Sequence, residues 1–366
     1  MSSARRAAVA TLSPSSEEPE RKQKDTTVAS TSRPVRIVDV AALAGVSPGT
    51  VSKALNNTGA LRASTRERVR EAAERLGFVP DGSARSLASR RSYSVGLLSS
   101  DSAGRFSIPV MLGAENALAA GQMSALLATS RGDPVREQHH VRALLGRRVD
   151  GIIVTGRNTE PRRPIEVPVP VVYAFAPSRA AADASVVPDD AAGARLAVAH
   201  LLALGRTRVA IVTGRADRLS ARVRVEAAQQ ALREAGLDTV REPLFGEWTE
   251  RWGRQATDAL LRTTQHSGQA GPDAIVCGSD QVARGVTDRL RERGVSVPGQ
   301  VAVTGYDDWD VMSLASRPPL TTLDPRLEDL GRRAAELLLD AIAGAPHHGV
   351  ELVPPQLVVR ESTTDD

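Results

Sequence analysis

From Ser94 onward, short apolar runs alternate with stretches of helical pattern. Six of these runs resemble buried strands: VGLLSS, GIIVTG, VPVVYA, VAIVTG, DAIVCG and VAVTGY. Helical patterns separate or follow them at 189–203, 218–235, 279–293 and 325–343. Such alternation predicts an α/β fold with parallel sheets covered by helices on both faces. The runs fall into two batches, before and after about residue 190, which predicts two similar lobes with a ligand cleft at the carboxyl ends of the strands.

The residues before Ser94 follow other patterns. Residues 1–33 are rich in Ser, Thr, Pro, Arg and Glu and lack hydrophobic periodicity, so we expect a disordered tail. Three short helical patterns follow within 34–79. We expect an all-α domain there, a linker or hinge helix at 80–92 and the two-lobed domain at 93–366.

Local start and stop signals delimit the three short helices. The first helix is expected to stop at Gly45. The second opens with Ser47 as N-cap and Pro48 at the first helical position. The third is expected to begin with a capping box formed by Ser64 and Glu67 and to end at Gly77.

Charge and cysteine content restrict the partners and the compartment. Residues 36–91 hold ten basic residues against five acidic ones, while the whole chain has a net charge of +4. Positive charge concentrated in one short segment suits binding to a phosphate backbone, although a solvated basic face would have the same count. Neither a membrane-spanning run nor a signal-peptide core is found, and Cys277 is the only cysteine. We therefore expect a cytoplasmic, nucleoid-associated protein without disulfides or a cysteine-based zinc site.

The stretch VDVAALAGVSPGTVSKALN has the features of a helix-turn-helix. Gly45 permits the tight turn, and Val46, Val51 and Leu55 provide the apolar face shared by the two helices. The segment from Ile37 to Asn56, followed by TRERVREAAERLGFVPDGSARSLASRRS, resembles the headpiece and hinge of the LacI/GalR family of transcription regulators. The resemblance continues to Ser362.

The resemblance implies a role in DNA binding for each residue of the second helix that matches the family motif. Pro48, Gly49 and Lys53 take positions that meet bases. Because Pro48 and Gly49 carry no side-chain donor, base reading falls on Lys53, on Thr50 and on DNA shape. The positions placed to meet phosphates or to brace the turn are Ser47, Thr50, Ser52 and Asn56. A three-helix bundle that does not bind DNA is the alternative.

In the family, the hinge folds when two subunits meet on DNA, and a leucine wedges into the central base step of the minor groove. Leu87 matches that leucine, and Ala84 lies on the face that would contact the twin subunit. The alternative is that Leu87 is part of a core and that the arginines around it belong to a solvated linker.

The few aromatic residues concentrate where the cleft is expected, in loops that follow predicted strands: Phe106, Phe175, Trp248, Tyr306 and Trp309. Saccharides are gripped by an aromatic face and by carboxylate or guanidinium groups that pair with two hydroxyls. The resemblance implies that Trp248 stacks on the ligand, that Arg224 binds it and that Asp307 pairs with its hydroxyls. Ser279 and Asp280 stand where the family has an Asn-Asp pair.

Each of these residues also has a purely structural interpretation. Trp248, four residues before Trp252, could be core; Arg224 could form a surface ion pair; Asp307 or Asp280 could cap the next helix. Phe175 and Pro325 replace polar residues found in some members of the family, which makes the pocket more apolar. A sugar or sugar-like ligand is the leading expectation.

Two other function classes are alternatives: an enzyme and a solute-binding receptor. Asp307, Asp308 and Asp310 could suggest glycoside cleavage and Cys277 a nucleophile, but Cys277 lies in a buried strand with no histidine base beside it. A solute-binding receptor of a transporter would have the same two lobes, but the missing export signal and the headpiece argue against it. We therefore expect neither an enzyme nor a metal or cofactor site.

The resulting prediction is a homodimeric regulator, in the first place a repressor, which binds a pseudo-palindromic operator. No leucine heptads suggest a tetramerising helix. A small molecule in the cleft would control DNA affinity allosterically, either as an inducer or as a corepressor.

Overall fold

The computed structural model describes residues 35–78, 91–101, 104–267 and 270–364. The chain divides into two compact units, Met1–Asp81 and Gly82–Asp366. The tail predicted at 1–33, and the hinge residues Ala84 and Leu87, lie outside the described residues.

The first unit is a small three-helix domain. Its helices are α1 (Ile37–Ala44), α2 (Pro48–Leu55) and α3 (Ala63–Leu76). They share one apolar core, in which Val40, Val51 and Val69 are fully buried. Val46 and Leu55 pack against that core, as the sequence predicts for the contact between the first two helices.

The caps of α1 and α2 follow from local chemistry. The turn between them contains Gly45 with a φ of 62°, in the left-handed region that glycine adopts without strain. The predicted N-cap of α2 is confirmed, since Ser47 Oγ accepts the backbone N–H of Thr50 at 3.2 Å. At the start of α1, the Asp39 carboxylate accepts the N–H of Arg36 at 2.7 Å.

The predicted capping box of α3 is wrong. The helix begins two residues earlier than expected, at Ala63 with Arg62 as N-cap, so Ser64 lies inside the first turn and makes no capping hydrogen bond. The backbone carbonyl of Arg62 accepts the N–H groups of the first turn, and Glu67 pairs with Arg70 on the helix surface at 2.9 Å.

The second unit contains two parallel sheets, as the alternation of strands and helices predicts. The first lobe has a six-stranded sheet in the order β11-β5-β4-β3-β1-β2. Its strands are β1 (Ser94–Ser99), β2 (Ser124–Thr129), β3 (Gly151–Thr155), β4 (Val171–Ala174), β5 (Ala184–Pro188) and β11 (Gly349–Val353). Helices α4 (Ser107–Ala120) and α11 (Leu327–Ile342) cover one face, and α5 (Pro134–Gly146) covers the other.

The second lobe has a four-stranded parallel sheet in the order β7-β6-β8-β9. Its strands are β6 (Val209–Thr213), β7 (Leu244–Phe245), β8 (Ala274–Cys277) and β9 (Ala302–Thr304). Helices α6 (Asp190–Ala203) and α7 (Leu219–Glu234) pack on one face, and α8 (Glu250–Ser267) and α9 (Asp280–Glu292) on the other. The short helix α10 (Asp310–Ser313) follows β9.

The chain passes between the lobes after β5, after β10 (Thr322–Asp324) and before β12 (Gln356–Val358). Strands β10 and β12 pair with each other in antiparallel fashion. The predicted division of strands at about residue 190 therefore needs correction, because α11 and β11 lie after it in sequence but belong to the first lobe. Gly113 of α4 and Gly331 of α11 make this possible: a Cβ on either would lie 1.9 Å from a backbone oxygen of the other helix.

Candidate nucleic-acid interface and ligand cleft

The residues predicted to meet DNA lie on the face of α2 opposite the core. Val51 and Ala54 face inward, with 0% and 8% exposure. The outward side carries the predicted DNA residues: Ser47, Pro48, Gly49, Lys53 and Asn56 are exposed, and Thr50 and Ser52 are partly exposed. The helix thus leaves one polar, solvent-facing surface beside the turn.

Local hydrogen bonds fix the small polar side chains of this surface. Ser47 Oγ lies 2.9 Å from Thr50 Oγ1, and Asn56 Nδ2 donates to Ser52 Oγ at 3.3 Å. Lys53 has no ion-pair partner in the described part of the chain, and its stem passes close to Gly59. An exposed ammonium group is thus present at the position that the family resemblance predicts to meet a base.

The second unit encloses a cavity of about 240 Å³ between its two lobes. Six of the seven ligand-binding residues predicted from the sequence line it: Phe106, Phe175, Arg224, Trp248, Ser279 and Asp307. The other lining residues are Arg105, Arg157, Asn158, Thr159, Pro188, Arg218, Ser220 and Pro325. The structure therefore brings residues far apart in sequence into one site, which lies at the carboxyl ends of strands from both sheets.

Two aromatic surfaces face this cavity, one from each lobe. In the first lobe, the rings of Phe106 and Phe175 stack with centroids 5.1 Å apart and planes at 20°. In the second, Trp248 lies on Gly214, where an added Cβ would be 2.0 Å from the indole ring. Aromatic faces presented in this way suit the C–H surface of a sugar or another flat ligand.

The two tryptophans around α8 have different surroundings. Trp248 precedes the helix and lines the cavity, while it also packs against the core of the second lobe. Trp252 lies in the first turn of α8, and its Nε1 donates to the carbonyl of Thr213 at 2.8 Å. Trp252 is therefore a structural residue of the second lobe, as the core interpretation predicts. Trp248 packs against the core and also lines the cavity.

Arg224 projects from α7 and is held from three sides. Its Nε donates to Asp190 Oδ1 at 2.9 Å and its Nη1 to the carbonyl of Gly278 at 2.7 Å. The guanidinium carbon lies 3.4 Å from the ring centroid of Tyr306. Burial alone would lower the pKa of Arg224, but the Asp190 carboxylate raises it above the ordinary arginine value. Arg224 therefore forms an ion pair, as its structural interpretation predicts, but this pair is buried and not on the surface. Arg224 still lines the cavity.

Asp307 lies opposite Arg224 in a buried loop after β9. Its carboxylate forms an ion pair with Arg105, a residue of the first lobe that the sequence analysis missed. Burial raises the pKa of the Asp307 carboxyl above its usual range, although the charges of Arg105 and Arg224 oppose that rise. Its backbone has a φ of 107°, so the loop holds a non-glycine residue in a strained conformation beside the cavity.

Asp280 does not line the cavity. Its fully buried carboxylate accepts the backbone N–H of Trp309 at 2.7 Å and the hydroxyl of Thr322 at 2.6 Å. Burial and the nearby Asp307 raise its pKa. The capping residue of α9 is Ser279, whose Oγ accepts the N–H of Val282 at 3.3 Å. Asp280 therefore fixes the loop that carries Asp307 and does not face a ligand.

Arg157 and Arg218 also line the cavity, although the sequence did not predict them there. Both lie in loops that follow central strands, Arg157 after β3 and Arg218 between β6 and α7. The same signal that singled out the aromatic residues, a position just after a predicted strand, would have found them. Arginine is common on surfaces, which makes that signal weaker for it.

Features considered for catalysis have structural explanations. Cys277 is 1% exposed in β8, and burial raises its pKa far above the usual thiol value, which disfavours the reactive thiolate. Asp308 pairs with Arg360 at 2.8 Å instead of forming a carboxylate dyad. Within the described ranges, no group of three or more His, Cys, Asp or Glu residues could hold a metal ion.

Two family models match the chain. Residues 36–81 match bacterial regulatory proteins of the lacI family, and residues 198–363 match a periplasmic binding protein-like domain. The HTH-type transcriptional repressor PurR of Aliivibrio fischeri (strain ATCC 700601 / ES114) is 30% identical over 90% of this chain and 98% of its own length. The chain belongs to the LacI family of bacterial regulatory proteins.

Other relatives of this LacI-family chain agree with that assignment. The transcriptional regulator CelR of Thermobifida fusca is 33% identical over 88% of this chain and 96% of its own length. Among solved structures, a lac repressor dimer bound to operator and the anti-inducer ONPF is similar, with a TM-score of 0.69 and 28% identity over 90% of this chain and 99% of that one. A complex of CelR with cellobiose has a TM-score of 0.62 and 30% identity, covering 90% of this chain and all of that one.

The family assignment confirms several predictions at once. The chain is a DNA-binding transcription regulator and not an enzyme, and its α1–α2 pair is the helix-turn-helix of the family. The α/β fold with parallel sheets is also confirmed. None of the described helices is long and apolar enough to cross a membrane.

Proposed function

We propose that this chain is a cytoplasmic, nucleoid-associated repressor that binds a pseudo-palindromic operator as a homodimer and responds to a sugar or sugar-like molecule in the cleft. The observation that carries the proposal is the convergence of Trp248, Arg224 and Asp307 on one cavity. These groups combine a stacking surface with a cation and a carboxylate, which is the chemistry that a polyhydroxylated ligand requires. The similar CelR–cellobiose complex supports the same class of ligand.

For DNA, the proposal assigns base contacts to Pro48, Gly49 and Lys53 and phosphate or bracing contacts to the polar residues around them: Ser47, Thr50, Ser52 and Asn56. Their exposure on one side of α2 supports this assignment. The minor-groove role of Leu87 and the pairing role of Ala84 remain predictions from the family resemblance.

For control, the proposal is that the ligand changes the arrangement of the two lobes and thereby the pairing of the hinge segments. Residues of both lobes line the cavity, so a ligand there has different contacts in open and closed arrangements. An allosteric effector must bind one of these two arrangements more tightly than the other.

The proposal is tested by DNA selection followed by ligand titration. Genomic fragments retained by the purified chain are labelled, and their affinity is measured with and without a panel of monosaccharides and disaccharides, which includes cellobiose and the acid and phosphate derivatives of these sugars. We expect at least one sugar to change the affinity for a selected fragment. The proposal is wrong if no fragment is preferred over random duplex, or if no sugar in the panel alters the affinity.

Variants separate the cleft from the DNA surface. The Trp248→Ala variant should lose the ligand response, because Trp248 lines the cavity. It should still bind DNA without ligand, because the helix-turn-helix belongs to the first unit. Phe245→Ala is the matched control, since Phe245 lies three residues earlier on β7, is 36% exposed and does not line the cavity. An unchanged ligand response in Trp248→Ala would contradict the assignment of the cleft.

A further inference from the structure

The lining of the cavity between the lobes is strongly cationic. Four guanidinium groups, those of Arg105, Arg157, Arg218 and Arg224, line it, against the single carboxylate of Asp307. A neutral sugar needs hydrogen-bond donors and acceptors in balance, so this excess of arginine requires its own explanation.

Two of the four arginines are neutralised by groups of the protein. Arg224 pairs with Asp190 at 2.8 Å. Arg105 pairs with Asp307 and also donates from Nη1 to Gln281 Oε1 at 3.1 Å. These two guanidinium groups therefore have their charge balanced within the fold.

Arg157 and Arg218 differ from that pair. Neither side chain has an ion-pair or hydrogen-bond partner within the described parts of the chain. Acidic residues are available nearby but are engaged elsewhere. Asp217 binds Arg215 at 2.9 Å, and the Glu160 carboxylate accepts the backbone N–H of Leu219 at 2.7 Å. Both guanidinium groups thus line the cavity without a direct ion-pair partner, while the charge of Arg218 acts on the neighbouring Asp217 carboxylate.

Neighbouring groups add to the same electrostatic field. Arg218 is the N-cap of α7, and Ser220 in the first turn of that helix also lines the cavity. The amino end of this 16-residue helix carries partial positive charge, and one of its first N–H groups, that of Leu219, already binds the carboxylate of Glu160. On the opposite lobe, Asn158 follows Arg157 in the lining and presents an amide that can donate.

We propose that the effector is an anionic metabolite, a sugar acid or sugar phosphate, whose carboxylate or phosphate is bound by Arg157 and Arg218. The two arginines come from different lobes, so one anionic group held by both joins the lobes. The hydroxylated part of the ligand then lies against Trp248 and Asp307. This inference rests on the proposed sensing role of the cleft and narrows the class of ligand.

Matched pairs of neutral and acidic compounds test the inference. The full-length chain is titrated calorimetrically with glucose, glucuronate and glucose 6-phosphate, and with cellobiose and cellobionate; inorganic phosphate serves as the anion without a sugar. We expect the acidic member of at least one pair to bind more tightly than its neutral counterpart by about tenfold or more, the effect of a charge-assisted hydrogen bond. Carboxylate and phosphate members separate the two sources of charge.

Three variants make the test specific. Arg157→Gln and Arg218→Gln, alone and combined, should remove the preference for the acidic member, with each single variant reducing it. Arg136→Gln is the matched control, because Arg136 is an exposed arginine of α5 that does not line the cavity. Melting temperatures without ligand establish that every variant folds.

The inference is overturned if the neutral member of each pair binds as well as the acidic one, if no acidic member binds, or if the acidic preference persists in the double variant. Binding of inorganic phosphate alone, without preference for any sugar derivative, also overturns it. DNA affinity measured with the same compounds keeps the two proposals apart. A neutral sugar that alters operator binding supports the proposed function and contradicts this inference. An acidic ligand that binds without altering operator binding shows the anion site but contradicts the sensing role proposed for the cleft.

Discussion

Arg105 of the first lobe forms an ion pair with Asp307 of the second, across the cleft between them. The guanidinium carbon lies 4.3 Å from the ring centroid of Trp309 and 4.7 Å from that of Phe106, so aromatic groups of both lobes flank it. Both members of the pair also line a second cavity of about 520 Å³. The pair thus forms part of the wall between two cavities and joins the lobes beside the ligand site.

Replacement of Arg105 by glutamine should destabilise the second unit. The side chain of Asp307 is 7% exposed, and without Arg105 its carboxylate loses the opposite charge that offsets its burial. A loss of about 1–3 kcal/mol in the free energy of unfolding is expected for a buried group left without its partner. Urea unfolding followed by tryptophan fluorescence measures this loss, since all three tryptophans belong to the second unit.

The matched control for this variant is Arg332→Gln on α11. Arg332 also pairs with carboxylates, Asp329 and Glu336, but its side chain is 50% exposed. Solvent screening limits such pairs to less than about 1 kcal/mol. Equal losses in the two variants would show that the pair across the cleft has no special stabilising role.

A methyl group at position 214 should disturb the ligand site without replacing any ligand-binding side chain. The Cβ of Gly214→Ala would lie 2.0 Å from Trp248, so the indole must leave its present position. We expect a loss of ligand response with DNA binding retained. Gly146→Ala is the control, because a Cβ there has no neighbour within 4 Å. The role of the close contact is refuted if both variants respond to ligand as the natural chain does.

The sequence predicts the elements of this fold better than their arrangement. The six apolar runs correspond to β1, β3, β4, β6, β8 and β9, whose side chains are nearly all buried. It does not predict the edge strands β2 and β11, most of whose residues are exposed or only partly buried. Assignment of α11 to the first lobe depends on its contact with α4, which local periodicity does not contain.

The ligand site was predictable where residue chemistry is distinctive. Six aromatic, charged and polar positions found from the sequence line the cavity, whereas Asp280, the first residue of α9, is turned into the protein. A carboxylate that faces a ligand and one that braces a loop have the same sequence signature. The partner of Asp307 was missed because the link to Arg105 spans 202 residues and exists only once both lobes have folded.

Unfolding as a function of pH should report the burial of Asp280. Burial raises its pKa to about 8, well above the ordinary aspartate value of about 3.9. The folded chain then holds this proton more tightly than the unfolded chain does. The contribution of Asp280 to stability is therefore fully present below the ordinary value and is lost as the pH rises towards about 8.

The variant Asp280→Asn isolates that contribution. Asparagine cannot ionise and still offers an oxygen to the hydroxyl of Thr322 or the N–H of Trp309. We expect the free energy of unfolding of the variant to fall less far below that of the natural chain at pH 8 than at pH 5. This difference can change by at most about 1.4 kcal/mol for each pH unit. Urea unfolding of both chains at the two pH values gives this difference. A destabilisation that is the same at both values would show that Asp280 remains ionised throughout.

Loss of the ammonium group of Lys53 should weaken operator recognition more than general DNA affinity. Pro48 and Gly49 on the same face of α2 lack side-chain donors, so a base contact by Lys53 has no substitute there. We expect Lys53→Ala to reduce the affinity for a selected fragment by about 1–3 kcal/mol, with a smaller change for random duplex. Arg70→Ala removes the same charge from the exposed surface of α3, where Arg70 already pairs with Glu67, and serves as the control. Fluorescence anisotropy measures the affinities of the natural chain and of both variants for the selected fragment and for random duplex. The salt concentration is kept constant, because ionic strength alone changes the strength of phosphate contacts. If Lys53→Ala lowers both affinities equally, Lys53 contacts the phosphate backbone, and reading of the operator depends on DNA shape.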